Sequence, residues 1–226
     1  RDKDLTKALL QSCGVPVPEG CMVESASAAW EAANEIGLPV VIKPSDGNHG
    51  RGVFIELSYQ DEIESAYHVA LKEGSGVLVE QYIAGTEHRL LVVGGQLVAA
   101  TRGDSVSVTG DGTSTIAELI ESQINSDPRR GTTEDHPLNL IRIDSAARIE
   151  IARQGYRSDS IVAAGVNVVI QRNGNHAFDV TDQVHPSTAA IASLAARVVG
   201  LDIAGIDLVT TDISRPLNEQ GGAIVE

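Results

Sequence analysis

A chain of 226 residues with 42% hydrophobic and 21% charged side chains can bury a sizeable core, and its ordinary globular composition excludes a disordered or low-complexity chain. Its 17 Lys and Arg against 31 Asp and Glu leave a formal charge of −14, a surface that repels nucleic-acid backbones and anionic membranes. A phosphate ligand on such a chain has to be met locally, by a few placed cations, backbone N–H groups and a divalent metal. The two cysteines, Cys13 and Cys21, match neither a disulfide framework nor a CxxC spacing, so a reducing compartment is expected. No apolar run approaches the about 18 residues of a membrane span, and no charged-then-apolar leader opens the chain. The expectation is a cytoplasmic protein that partners neither nucleic acid nor membrane. Opening at Arg1 and stopping at Glu226 inside an apolar run, the chain reads as a piece of a longer protein.

Leu5, Ala8 and Leu9 at helical spacing predict a helix over 4–13, stopped by Gly14 ahead of Pro16. A second helix is expected at 28–36, capped by Ser25 or Ser27 and closed by Gly37. The β-branched run Pro39-Val40-Val41-Ile42-Lys43 reads as a buried strand. A loop at 45–52 with Gly47, Gly50 and Gly52 follows, then a strand at 53–57. Ser58 is expected to cap a helix reaching Lys72, with Gly74 as its stop. Strands at 77–83 and 89–93 come next, and Gly94-Gly95 turns the second into a hairpin with 96–102. An amphipathic helix is expected at 115–124, a polar loop at 127–131, a helix at 145–154, a strand at 166–170 and a turn-rich stretch at 172–175. Ser187 is expected to cap an apolar helix at 189–199 that Gly200 ends, and strands at 203–209 and 223–226 form a last pair. The class is mixed α+β in two lobes.

Three groups of residues carry candidate chemistry. The glycine loop after Lys43 offers clustered N–H donors and close approach for phosphate oxygens. Its GxxGxG order is neither a Walker A loop nor a dinucleotide fingerprint, and in isolation it is equally a flexible glycine-turned hairpin. Asp207, inside Gly205-Ile206-Asp207-Leu208-Val209, and Glu226, ending Ala223-Ile224-Val225-Glu226, are carboxylates inside apolar strands. That placement is costly unless they face a cleft or a partner, and Mg²⁺ bridged to phosphates takes one or two such groups. Strand ends near water are the plainer account. Glu80-Gln81-Tyr82-Ile83 leading into a turn with Glu87 could address an adenine edge and its ribose, though a strand with an exposed turn explains those residues by themselves.

In this order, Asp2-Lys3, Ile42-Lys43-Pro44 with the glycine loop, Glu80 to Glu87, then Asp207 and Glu226, the chain resembles the ATP-grasp superfamily of carboxylate-amine ligases. Within it, Asp2-Lys3-Asp4-Leu5-Thr6-Lys7, Asp46-Gly47-Asn48-His49-Gly50-Arg51-Gly52, Asp127-Pro128-Arg129-Arg130-Gly131, Asp179-Val180-Thr181-Asp182-Gln183-Val184-His185-Pro186 and Asp212-Ile213-Ser214-Arg215-Pro216-Leu217 resemble the central domain of the cyanophycin synthetase family, along essentially the whole chain. The resemblance implies two α/β lobes gripping a nucleotide: 1–84 with the phosphate loop, and 85–226 with the Mg²⁺ site and a substrate-binding insertion. It also implies the activity. MgATP phosphorylates the C-terminal carboxylate of a poly-aspartate chain, and the amine of aspartate then displaces phosphate.

By position, the resemblance assigns Lys3 and Lys43, with Gly47, Gly50 and Gly52, to the phosphates. Glu80 and the backbone of Gln81, Tyr82 and Ile83 are assigned to adenine, Glu87 to ribose, and Asp207 and Glu226 to Mg²⁺. His49 is implied as the base for the attacking ammonium or as a loop hydrogen-bonding group. Arg89 is implied as an acyl-phosphate or oxyanion stabiliser, its plainer role being an ion pair with Glu87. Arg129, Arg130 and Arg172 are candidates for an acidic polymer or plain surface cations. The family carries a longer Ser/Thr/Gly-rich stretch than Arg172-Asn173-Gly174-Asn175-His176-Ala177-Phe178, and an Asn two residues beyond the position of Glu226. It also implies a homo-oligomer. Two other readings share the same residues: an ATP-grasp ligase with a different acceptor, such as a glutathione synthetase or a ribosomal-protein glutamate ligase, and a nucleotide-binding module without turnover.

Overall fold

The computed structural model describes residues 3–46, 52–133, 135–172 and 177–226. Residues group into two compact units, one of residues 1–102 with 178–226 and one of residues 103–177.

The first unit opens with α1 (Lys3–Ser12), β1 (Gly20–Val23), α2 (Ala26–Ile36), β2 (Val40–Pro44), β3 (Phe54–Leu57), α3 (Gln60–Glu73) and β4 (Val77–Gln81). The four strands form an antiparallel sheet ordered β1-β4-β2-β3. Alternation along β2 and β4 sorts their side chains onto two faces. Val40, Ile42, Val77 and Val79, all fully buried, share the apolar face, and α2 and α3 pack on these strands with Ala29, Ala33, Ala66 and Ala70 equally buried. Small residues let the helices approach closely. The opposite face carries Val41, Lys43, Leu78 and Glu80, with Lys43 opposite Leu78 and Val41 opposite Glu80.

The same unit continues with β5 (Thr86–Val93), β6 (Gln96–Gly103), β11 (Ala177–Asp179), α6 (Pro186–Val199), β12 (Ile203–Thr210) and β13 (Ala223–Ile224). They form a second sheet ordered β11-β6-β5-β12-β13. One face is the core: Leu90, Val92, Ala204, Ile206, Leu208 and Ile224 pack with Ala192, Ala195 and Ala196 of α6 and with Leu10 and Val15 from the chain's start. The Ile224 N–H donates to the Pro16 carbonyl at 2.9 Å, so the segment after α1 is tied to this sheet. The other face carries Glu87, Arg89 and Asp207.

The second unit pairs β7 (Val106–Thr109) with β10 (Asn167–Gln171). Around them run α4 (Ile116–Leu119), which continues as a π-helix over Ile120–Asn125, the parallel bridge of β8 (Arg130–Gly131) with β9 (Leu138–Asn139), and α5 (Ser145–Arg153). A two-stranded ribbon leaves both edges unpaired, and amide side chains close them. Gln123 accepts from the Thr109 N–H at 2.9 Å and donates to its carbonyl at 2.7 Å. Gln154 does the same to Val169 at 2.9 and 2.8 Å. Each side chain mimics one residue of a neighbouring strand, which satisfies backbone groups that would otherwise be lost to solvent or buried bare.

Several expected ends move. The α3 helix is preceded by Tyr59, with no side-chain cap, rather than by Ser58. At α6 the cap is His185, whose Nδ1 accepts from the Ser187 N–H, because Pro186 takes the first helical position and starts the helix ahead of Ser187. The helix expected at 115–124 has Thr115 and Glu118 in a reciprocal capping box and then widens into the π-helix from Ile120.

Gly85 joins the two sheets at φ +137, and a Cβ there would stand 2.3 and 2.4 Å from the Thr210 carbonyl carbon and oxygen. Backbone cannot yield as a side-chain tip can. Gly85→Ala is expected to cost about 3 kcal/mol or more in urea unfolding of the chain. Gly94→Ala, at φ +57 with open space around it, should cost only about 1 kcal/mol.

Candidate functional site

Lys43 and Glu80 lie on the polar face of the first sheet with exposures of only 6% and 2%, so their charges need partners. The Lys43 ammonium sits 2.8 Å from Glu80 Oε2 and donates to the Val225 carbonyl at 3.2 Å. Glu80 Oε1 accepts from Lys7 Nζ on α1. Burial, then the nearby charge of Lys43, lowers the Lys7 amine to about 8, with Glu80 only partly restoring it. Nothing in the sequence marks Lys7 as a site residue beyond its place four residues after Lys3, on the same helix face.

The second sheet supplies acids. Arg89 and Asp207 are directly opposite in the β5–β12 ladder, and Arg89 Nη1 donates to both Asp207 oxygens at 2.5 and 2.6 Å. Room for the guanidinium comes from Gly205, where a Cβ would lie 3.0 Å from Arg89 Nε and Nη2. Glu87 shares the face, opposite Val209. Burial, then the charges of Asp207 and Glu226, raises Glu87 to about 7 against the opposing pull of Arg89 and Lys43. Burial also raises Asp207, in spite of Arg89. The two faces are connected through one residue: the Val225 N–H donates to the Asp207 carbonyl at 2.8 Å while the Val225 carbonyl accepts from Lys43. The Asp207 N–H in turn donates to the Glu226 carbonyl at 2.7 Å.

The other expected residues lie in several places. In the Gln81 to Ile83 stretch, the Gln81 N–H donates to the Glu19 carbonyl at 2.8 Å and the Tyr82 N–H to the Pro39 carbonyl at 3.3 Å. Gly52 has φ +70 and packs on Glu73. Gly47, His49 and Gly50, with the side chain of Lys3, lie outside the described residues. The three remaining arginines belong to the second unit. Arg129 is exposed and bonded to Asp127 at 2.6 Å. Arg130 is buried and donates to the Asn139 carbonyl at 2.7 Å, and Arg172 Nε sits 3.0 Å from Glu150.

This donor set fits a hard divalent cation beside phosphates. Its atoms are carboxylate oxygens, buried and close enough to one another to raise Glu87 towards neutral pH, and a cation already occupies both oxygens of Asp207. Among the described residues no three His, Cys, Asp or Glu side chains form a closed metal cluster, so Asp207 and Glu226 could supply only part of a coordination shell.

Two facing sheets, one carrying a buried lysine and the other a carboxylate strip, define the ATP-grasp fold. Residues 2–129 match the family model described as carbamoyl-phosphate synthase L chain, ATP binding domain, and the chain belongs to that family. Across its full length it is 44% identical to a cyanophycin synthetase of Synechocystis sp., of which it covers 27%. Thus the chain spans about a quarter of the length of that relative. A bifunctional glutathione synthetase from Pasteurella multocida is similar at 29% identity and TM-score 0.54, over 99% of this chain and 31% of that one. The D-alanine–D-alanine ligase of Bacillus anthracis shares the fold at TM-score 0.58 and 14% identity, over 100% of this chain and 55% of that one. Among the described residues no helix is long and apolar enough to cross a membrane.

The Glu87 shift predicts a pH-dependent stability. The folded chain keeps the Glu87 proton up to about pH 7, whereas the unfolded chain loses it near its ordinary value of 4.5. Stability therefore falls as pH rises through that window. Glu87→Gln should exceed the wild type by on the order of 1–3 kcal/mol in urea unfolding at pH 8, and the difference should shrink towards pH 4.5.

Proposed function

We propose that the chain is the ATP-dependent ligase domain of a cyanophycin synthetase, joining the C-terminal carboxylate of a poly-aspartate chain to the amine of aspartate. The observation that carries the ligase reading is the meeting of Lys43 and the Asp207 strip at Val225, which sets a cation and acids on facing surfaces where a polyphosphate would lie. The acceptor rests on the 44% identity over the full chain to a protein of that name, against 29% to the glutathione synthetase structure.

In this reading the carboxylate of the polymer attacks the terminal phosphorus of ATP, ADP leaves, and an acyl phosphate forms. The amine of aspartate then attacks the acyl carbon and phosphate departs with the C–O bonding pair. Lys43, with Lys3 and the loop of Gly47, Gly50 and Gly52, binds and orients the phosphates. Mg²⁺ on Asp207 and Glu226 would neutralise phosphate charge and orient the transferred group. Arg89, released from one oxygen of Asp207, is placed to steady negative charge on the acyl phosphate or the oxyanion. His49 is assigned the ammonium proton. Glu80 and the Gln81 to Ile83 backbone border adenine, and Glu87 accepts from ribose hydroxyls. Arg129 and Arg172 are the exposed cations offered to the polymer; Arg130 is buried. We assign the protein to the cytoplasm as a homo-oligomer.

The test is ADP release by the full-length protein with MgATP and a short cyanophycin primer plus aspartate, β-Asp-Arg dipeptide, or γ-glutamylcysteine plus glycine. Primer-dependent release with aspartate is expected, and Lys43→Ala should lower kcat/KM by at least about 10²-fold. Release only with γ-glutamylcysteine and glycine would transfer the assignment to a glutathione synthetase. A folded protein that binds ATP but releases no ADP with any of these acceptors would contradict the ligase reading and leave a nucleotide-binding module.

A further inference from the structure

Glu80 holds two ammonium groups on one buried carboxylate, and the nucleotide reading uses only one of them. We propose that Lys7 is a positioning residue that acts through Glu80: by occupying Oε1 it confines Lys43 to Oε2, and so keeps the Lys43 ammonium directed at Val225 and the acidic strip. This proposal rests on the reading of Lys43 as a phosphate-binding group.

Without Lys7, Glu80 would face a single cation. A buried carboxylate with one cation turns both oxygens to it, since an oxygen left bare costs the desolvation of a charged acceptor. Lys43 would be drawn onto the carboxylate and its charge spent there. With Lys7 on Oε1, Lys43 pairs with Oε2 at 2.8 Å and donates to the Val225 carbonyl at 3.2 Å. The three groups then sum to one positive charge, which is the sign a phosphate needs on a chain of net charge −14. Burial, and after it the charge of Lys43, lowers Lys7 to about 8, so this surplus charge fades on the alkaline side. Beside Lys7 and Glu80 lies a cavity of about 260 Å³, also lined by Gln11, Glu19 and Leu78. It gives room for a larger cation at position 7.

Two measurements on the full-length protein test this. The first follows the pH dependence of Lys43 acetylation by mass spectrometry in wild type, Lys7→Met and Lys7→Arg, with no nucleotide present. Lys7→Met should shift the Lys43 titration upward, because a neighbouring positive charge is gone, and Lys7→Arg should restore it. The second compares ATP with adenosine. Lys7→Met should weaken ATP on the order of 10-fold and adenosine not at all, and its effect should largely vanish in a Glu80→Gln background, where there is no carboxylate for Lys43 to collapse onto. An unmoved Lys43 titration in Lys7→Met, or an equal ATP loss with and without the Glu80 carboxylate, would overturn the proposal. A Lys43 titration that moves in Lys7→Met, together with a wild-type protein that does not bind ATP, would instead uphold the coupling and contradict the nucleotide reading.

Discussion

The buried Lys43–Glu80 pair sets the terms for the rest of the site. An ammonium this far from water keeps its charge only if acids and carbonyls stand within bonding distance. The β2–β4 ladder puts Glu80 next to it, α1 adds a second cation, and the Val225 carbonyl ties the group to the other sheet. The pair is thus less a source of stability than a way of holding positive charge in a fixed place on an acidic protein. Preorganised charge of this kind is what a polyanionic substrate meets without further rearrangement.

The facing sheet solves the converse problem. Alternation along β5 and β12 sends Leu90, Val92, Ile206 and Leu208 into the core and leaves Glu87, Arg89 and Asp207 on the face that would receive a ligand. Glu87 and Asp207 repel one another there, with Glu226 adding to the repulsion, and burial sharpens it. Arg89 relieves it by bonding both oxygens of Asp207, and the missing side chain of Gly205 gives its guanidinium room. The acids keep a cost of burial that Arg89 offsets only in part, and a divalent cation arriving there would offset more of it.

Much of this was legible in the sequence because it follows from period and cost. Lys43 and Asp207 stand out as charges inside β-branched runs, and the strand positions around them come from apolar alternation and glycine punctuation. Lys7 was not legible, since a surface-type helix residue gives no sign that its tip is buried on a carboxylate 73 positions away. In sequence Glu87 is the near partner of Arg89, but strand register puts Asp207 opposite it, and register is a tertiary fact. Arg130 reads as a loop cation until the fold closes Asn139 over it. The amide clamps of Gln123 and Gln154 are invisible for the same reason: their partners are backbone groups of distant strands, which carry no sequence signal.

The account stands most directly on whether the Asp207 strip and Lys43 together form one site for a metal-bound nucleotide. Electron paramagnetic resonance of Mn²⁺ added to the full-length protein with a non-hydrolysable ATP analogue measures this, with Asp207→Asn and Lys43→Ala alongside. The account predicts bound Mn²⁺ that requires the nucleotide and is lost or sharply weakened in both variants. Mn²⁺ binding that persists unchanged in Asp207→Asn, or nucleotide binding indifferent to Lys43→Ala, would contradict it.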